Sequence, residues 1–260
     1  MNYNTQKEIA NEFNNSGIYK SGLPVIKLMI LAVLGGAFIA IGGLLTVVVA
    51  GGMPEVQAAN PGLVRLVAGV IFPVGLIMVS IAGADLFTSN CAGMTFSCLQ
   101  RQVSVSSLLK VWILSYIFNF IGAQLIAYFL THEVGLVASG SSRDYLHGLA
   151  ESKVYSSFGT VFLKGLAANW LVCLGVWMGF AGKDIIGKSI GIWVPIMIFV
   201  TLGYEHSIAN MFFIPAAIYS GADISWWAFL ADNLLPATLG NIIGGAVFVG
   251  CIYWYVYLRK

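Results

Sequence analysis

The sequence predicts an all-α membrane protein of six transmembrane helices, arranged as an inverted 3+3 repeat with the second and fifth helices interrupted. Three observations lead there. The 260 residues are 58% hydrophobic and 9% charged, with a mean hydropathy of +0.86, a composition whose natural solvent is a bilayer. Long uncharged runs alternate with short charged patches. A motif built around a single acid also occurs twice, at an offset of 120 residues. The net charge of +2 is small and its residues scattered, which gives no sign of a nucleic-acid partner.

The first 24 residues mix Lys7, Glu8, Glu12 and several Asn without a continuous apolar stretch. They read as a cytoplasmic segment carrying a short amphipathic helix, not as a cleavable leader. Beyond them, uncharged runs cover 28–54, 66–84, 86–100, 111–131, 165–182, 189–204, 207–222 and 233–258. A spanning helix needs about 20 predominantly apolar residues. The pair 66–84 and 86–100 is divided by Asp85 alone, and the pair 189–204 and 207–222 by Glu205-His206, which leaves no room for a loop. Each pair is therefore read as one span with an internal break, because irregular backbone at membrane depth is tolerated where it lines a cavity.

The six spans form one domain over 1–260, with a first repeat at 25–131 and a second at 154–258. Placing both termini inside puts Lys7, Lys20, Lys27, Arg101, Lys110, Lys183, Lys188, Arg259 and Lys260 on the cytoplasmic face. Arg65, Arg143 and Lys153 fall outside, and Lys164 lies within the fourth span. This asymmetry fits the positive-inside rule for a multi-pass protein of the cytoplasmic membrane. Cys91, Cys98, Cys173 and Cys251 lie in apolar stretches without ligand spacing and read as small packing residues.

The repeat rests on two matches. Gly83-Ala-Asp85-Leu-Phe-Thr-Ser-Asn90 pairs with Gly203-Tyr-Glu205-His-Ser-Ile-Ala-Asn210, and Asn119-Phe-Ile-Gly122 pairs with Asn241-Ile-Ile-Gly244. Three spans per half force the second half to enter the membrane from the opposite side. The two breaks then meet near the midplane, where half-helix N-termini favour an anion.

Ionisable residues at membrane depth are functional candidates by default, here Asp85, Glu205, His206 and Lys164. Asp85 and Glu205 hold equivalent positions and are expected to pin the breaks by accepting loop N–H groups, direct contact with a permeant being the alternative. His206 has no counterpart, since Leu86 stands at its repeat position. It is a candidate to donate a hydrogen bond or a proton. Thr88 and Ser89 supply hydroxyls beside the first break, either to a permeant or as helix caps.

These motifs, together with Asp232-Asn-Leu-Leu-Pro-Ala-Thr-Leu-Gly-Asn-Ile-Ile-Gly-Gly245, resemble the formate/nitrite transporter family along essentially the whole chain. The resemblance implies an aquaporin-like fold in a homopentamer, each protomer carrying its own pore for formate, nitrite or hydrosulfide. It implies an Ω-shaped loop at the first break holding Leu86, Phe87 and Thr88, and a central histidine at His206. Apolar constrictions would fall on Phe72, Leu76, Leu86 and Phe199, with Asn169 and Asn210 beside the pore. Vestibule charge would come from Lys153, and from Lys20 if the N-terminal segment gates. Residues 88–93 are most similar to hydrosulfide channels within the family.

A passive channel for a small monovalent anion, hydrosulfide first, is thus the leading expectation, with no cofactor, no metal and no catalysis. A proton-coupled formate/nitrite transporter is the nearest rival. An aquaporin-type pore for neutral solutes should show Asn-Pro-Ala at both breaks, where this chain has Asn90-Cys-Ala and Asn210-Met-Phe. A membrane-embedded enzyme would need a metal or acid/base cluster, and the chain has no HExxH pattern.

Overall fold

The computed structural model describes residues 3–259; Lys260, counted above among the cytoplasmic charges, lies outside them. Apart from an isolated bridge between Tyr3 and Gly182, the described secondary structure is helical. Helix α1 (Gln6–Ser21) opens on a capping box between Thr5 and Glu8. The Thr5 N–H and hydroxyl hold the Glu8 carboxyl below its usual range. The apolar face of α1 is docked: Phe13 stacks on Phe96 at 5.3 Å and on Trp177 at 5.8 Å.

The first half continues as α2 (Val25–Gly51), α3 (Pro54–Ala59), α4 (Pro61–Ile71), α5 (Val74–Ala82), α6 (Phe87–Leu99) and α7 (Val105–Leu125), which runs on as a π-helix over Ile126–Glu133. Helix α8 (Ser141–Val154) leads into the second half, which holds α9 (Phe158–Ala181), α10 (Ile185–Thr201), α11 (Ser207–Tyr219), α12 (Trp226–Ala228), α13 (Leu235–Gly245) and α14 (Ile252–Tyr257). Helices α12 to α14 form one rod through π-helical turns at Phe229–Leu234 and Ala246–Cys251. Helix α8 packs Leu146, Ala150 and Val154 inward. Its His147 Nε2 lies 2.9 Å from Ser220 Oγ at the end of α11. Burial, with Arg143 nearby, pushes the His147 imidazole below its ordinary range.

Five segments are long and apolar enough to cross a membrane: Val25–Gly51, Pro61–Ala82, Val105–Glu133, Phe158–Ala181 and Trp226–Tyr257. The sequence reading expected six. It merged 66–84 with 86–100 into one interrupted span, whereas Pro61–Ala82 alone has 22 residues, the turn at Phe72-Pro73 keeping both residues in the helical region. In the second half, α10 (17 residues) and α11 (13 residues) are apolar but each shorter than a full span.

Glycine sets how closely these helices approach. A Cβ on Gly36 would fall on the Asn119 carbonyl and one on Gly122 on the Val33 carbonyl, locking α2 against α7. Gly240 and Gly244 meet the Phe162 and Leu166 carbonyls in the same way, locking α13 against α9. Small residues take this role where lipid supplies no hydrophobic drive between helices. Gly148 on α8 has nothing within 4 Å of its Cβ position. We therefore expect Gly122→Ala to destabilise by about 1–3 kcal/mol through overpacking. Gly148→Ala should be neutral or slightly stabilising. Thermal melting of the detergent-purified protein compares them, and equal melting points would refute the packing argument.

Candidate functional site

The two interruptions share one backbone pattern. Helix α5 ends at Gly83 (φ 82°) and α10 runs out at Gly203 (φ 69°), both left-handed, where glycine carries no steric penalty. The next N–H reaches back five residues in each case, Ala84 to the Val79 carbonyl and Tyr204 to the Phe199 carbonyl, as in a Schellman closure. The acids follow: Asp85 N–H donates to the Leu31 carbonyl at 3.0 Å and Glu205 N–H to the Lys164 carbonyl at 3.4 Å. Leu86 and His206 are extended, and α6 and α11 begin directly after them.

One asparagine staples each break. Asn119 Oδ1 accepts the Phe87 N–H at 2.9 Å, while its Nδ2 donates to the Asp85 carbonyl at 2.9 Å and the Ala32 carbonyl at 2.6 Å. Asn241 Oδ1 accepts the Ser207 N–H at 2.8 Å, while its Nδ2 donates to the Glu205 carbonyl at 2.9 Å and the Gly165 carbonyl at 2.7 Å. Both side chains are fully buried. The sequence marked Asn119 and Asn241 as repeat positions and assigned them no task; their equivalent spacing downstream of the two acids was the available clue.

The carboxylates do something other than expected. Neither accepts a loop N–H within its break; each is neutralised by a lysine from the helix that precedes its half. Lys20 Nζ is 2.9 Å from Asp85 Oδ1 and donates to Asn90 Oδ1 at 2.6 Å. Asn90 Nδ2 donates to Asp85 Oδ2 at 2.9 Å. Lys153 Nζ donates to Glu205 Oε2 at 3.1 Å, and Asn210 Nδ2 donates to the same oxygen at 2.7 Å. Asn233 Nδ2 adds a longer bond to it at 3.3 Å. Lys153 is thus a buried ion-pair partner and not an open vestibule charge, because an unpaired carboxylate at this depth would be too costly.

At the centre, the starts of α6 and α11 meet. His206 Nδ1 accepts the Ala209 N–H at 3.1 Å and caps α11. That fixes the tautomer with the proton on Nε2, which faces Thr88 Oγ1 at 3.0 Å. The expected Ω-loop is absent among the described residues. Phe87 and Thr88 are the first two residues of α6, because the Asn119 bond to Phe87 N–H starts the helix there. Neither Thr88 nor Ser89 caps α6; its cap residue is Leu86, with no side-chain bond.

Two separate cavities flank this centre. One, of about 720 Å³, lies on the α8 side and is lined by Phe72, Phe199, Lys153, Glu205, His206 and Asn210 among others. The other, of about 590 Å³, lies on the α1 side and is lined by Lys20, Val79, Asp85, Leu86 and Ser89 among others. No residue lines both. Phe72, Leu76, Leu86 and Phe199 belong to one buried apolar cluster. The Phe72 ring meets Phe199 edge-on at 5.9 Å and stacks on Phe213 at 6.2 Å, a partner the sequence did not single out.

Two expected pore residues stand elsewhere. Phe87 turns to α7, edge-on to Tyr116 at 4.9 Å, and lines neither cavity. Asn169 donates to the Thr88 carbonyl at 3.1 Å and the Asn241 carbonyl at 2.6 Å, tying α9 to α6 and α13. No group of three potential metal ligands occurs among the described residues.

Comparison with known proteins agrees with this architecture. The family described as formate/nitrite transporter matches residues 7–255. A protein of Methanothermobacter thermautotrophicus named as a probable formate transporter is 45% identical, over 93% of this chain and 92% of its own. A solved ion channel of the FNT family superposes with a TM-score of 0.88 at 26% identity, covering 95% of this chain and 98% of its own. A solved pentameric formate channel with formate bound gives 0.79 at 32% identity, covering 90% and 98%.

The Lys153–Glu205 pair makes its own test. Glu205→Gln strands a buried ammonium and should cost about 3–5 kcal/mol. Lys153→Met combined with Glu205→Gln should recover more than half of that loss. Melting temperatures of the two variants decide it, and a double variant no better than the single would refute charge compensation.

Proposed function

The chain belongs to the formate/nitrite transporter family, and from that premise we propose that it is a passive channel for small monovalent anions in the cytoplasmic membrane, with formate the leading permeant. One observation carries the reading: the Thr88–His206 bond at 3.0 Å, which joins the two half-helix starts between two separate cavities. Two positive helix ends converge there. The donor, His206 Nε2–H, is already oriented by the cap on Nδ1. A permeant anion takes the place of Thr88 Oγ1 as the acceptor of that proton and accepts the freed Thr88 O–H as a second donor.

Around this point the path is dry. Phe72, Leu76, Leu86 and Phe199 strip water from whatever crosses, a cost that a small ion offsets only through hydrogen bonds and helix dipoles. Hydrated cations gain nothing from positive helix ends, and a bulky anion does not pass the aromatic contact of Phe72 with Phe199. We further propose the inverted six-span arrangement, in which the interrupted spans are Pro61–Leu99 and Ile185–Tyr219, with both termini cytoplasmic. The matched hydrogen bonds of the two breaks support it. The exposed apolar stripe Ile113, Ile117, Ile121 and Leu125 of α7 fits lipid or neighbouring protomers, and the pentamer of the solved formate channel supports a homopentamer.

Formate leads because the similar proteins above carry that name. Hydrosulfide and nitrite share its charge and size, and the hydrosulfide preference rests on residues 88–93, which here are helical. A proton-coupled transporter is the second reading, favoured by the aim of His206 Nε2–H at the acceptor.

The test is stopped-flow uptake of formate, hydrosulfide and nitrite into proteoliposomes. Formate should enter under an anion gradient alone. His206→Ala and Thr88→Val should each slow it about tenfold or more, the loss of one or two charge-assisted hydrogen bonds. Uptake that demands a pH gradient would replace the channel with the coupled transporter. Glycerol flux without anion flux would return the neutral-solute pore.

A further inference from the structure

The Lys153–Glu205 pair leaves the α8-side cavity with a charge that the proposed function does not use. Lys164, on α9, is half-buried and lines that cavity together with Glu205 and His206. Its carbonyl accepts the Glu205 N–H, so its backbone is fixed beside the break. Among the described residues its ammonium has neither ion pair nor hydrogen bond. Arg65, exposed at the rim of the same cavity, also has no ion pair among the described residues. The carboxylates on this cavity are Glu205, taken by Lys153, and Asp144, which is exposed and lies 3.6 Å from Arg143. The cavity therefore carries uncompensated positive charge, deepest at Lys164.

Comparison of the two breaks isolates this lysine further. The carbonyl that accepts the Glu205 N–H belongs to Lys164, and the one that accepts the Asp85 N–H belongs to Leu31, which lines the α1-side cavity. Lys164 against Leu31 repeats the asymmetry of His206 against Leu86. Both polar members of these pairs face the α8-side cavity and both apolar members the α1-side cavity.

We propose that Lys164, and not Lys153, captures the permeant anion in the α8-side cavity, a binding site for one small monovalent carboxylate or oxyanion ahead of the His206–Thr88 centre. The assignment rests on the channel reading above. An ammonium held at membrane depth without a counterion is costly, and an anion in the cavity supplies that counterion. The attraction acts across low-dielectric walls and raises local anion concentration. Arg65 extends the same field to the rim, and Lys164 brings the anion to the wall next to Glu205 and His206.

The experiment is formate uptake as a function of concentration in oriented proteoliposomes, with formate presented to the α8 face at low ionic strength. Lys164→Gln should raise the half-saturating formate concentration about five- to tenfold, with the maximal rate within about twofold. Lys164→Arg, which keeps the charge, should stay near wild type. For the wild type alone, added impermeant salt should raise half-saturation, since the screening length shrinks to about 8 Å at physiological strength; this readout needs no variant to fold. Unchanged half-saturation in Lys164→Gln, equal impairment in Lys164→Arg, or no salt effect on the wild type would each overturn the site. Absence of formate uptake by the wild type would instead overturn the channel reading beneath it.

Discussion

Backbone polar groups inside a bilayer have no water to bind, and this chain, a member of a membrane transporter family, breaks its helices at two matched points. Everything near the centre follows from how those groups are satisfied. Asn119 and Asn241 each accept one N–H and donate to two carbonyls. One carbonyl in each set belongs to the first helix of the same half, Ala32 on α2 and Gly165 on α9. An asparagine reaches that carbonyl only if α7 closes on α2 and α13 on α9, and Gly122 and Gly244, three residues further along, permit those approaches. The motif Asn-x-Ile-Gly thus couples backbone satisfaction to helix packing.

The acids belong to the same economy of buried charge. Asp85 and Glu205 draw Lys20 and Lys153 inward from α1 and α8, which explains why both flanking helices are docked. Once those pairs have formed, their long-range fields largely cancel, and what remains in the α8-side cavity comes from Lys164 and Arg65. The central His206 is neutralised differently: its Nδ1 is committed to the Ala209 N–H, leaving a single oriented donor. Polar function is concentrated on one side of an otherwise symmetric frame.

Much of the frame was legible in the chain. Composition required a bilayer, and the repeated acid motifs located both breaks; that Gly83 and Gly203 take left-handed turns there was not read from the chain. The lack of a repeat partner singled out His206, and its central position was what the family resemblance implied. Span counting was less secure, because a proline turn at Pro73 leaves Pro61–Ala82 long enough to cross by itself and hydropathy does not register a bend.

What the sequence determined alone was the local chemistry: residues whose free energy depends on the surrounding medium or on their own φ, such as apolar spans, left-handed glycines and buried ionisable groups. What only the tertiary structure decided was who pairs with whom. Lys20 meets Asp85 across 65 positions and Lys153 meets Glu205 across 52, contacts set by how helices pack and not by spacing. The turn of Phe87 toward Tyr116, the cap that fixes the His206 tautomer and, among the described residues, the unpaired state of Lys164 are likewise outcomes of packing, since a side chain's charge is written in the sequence but its compensation depends on its neighbours.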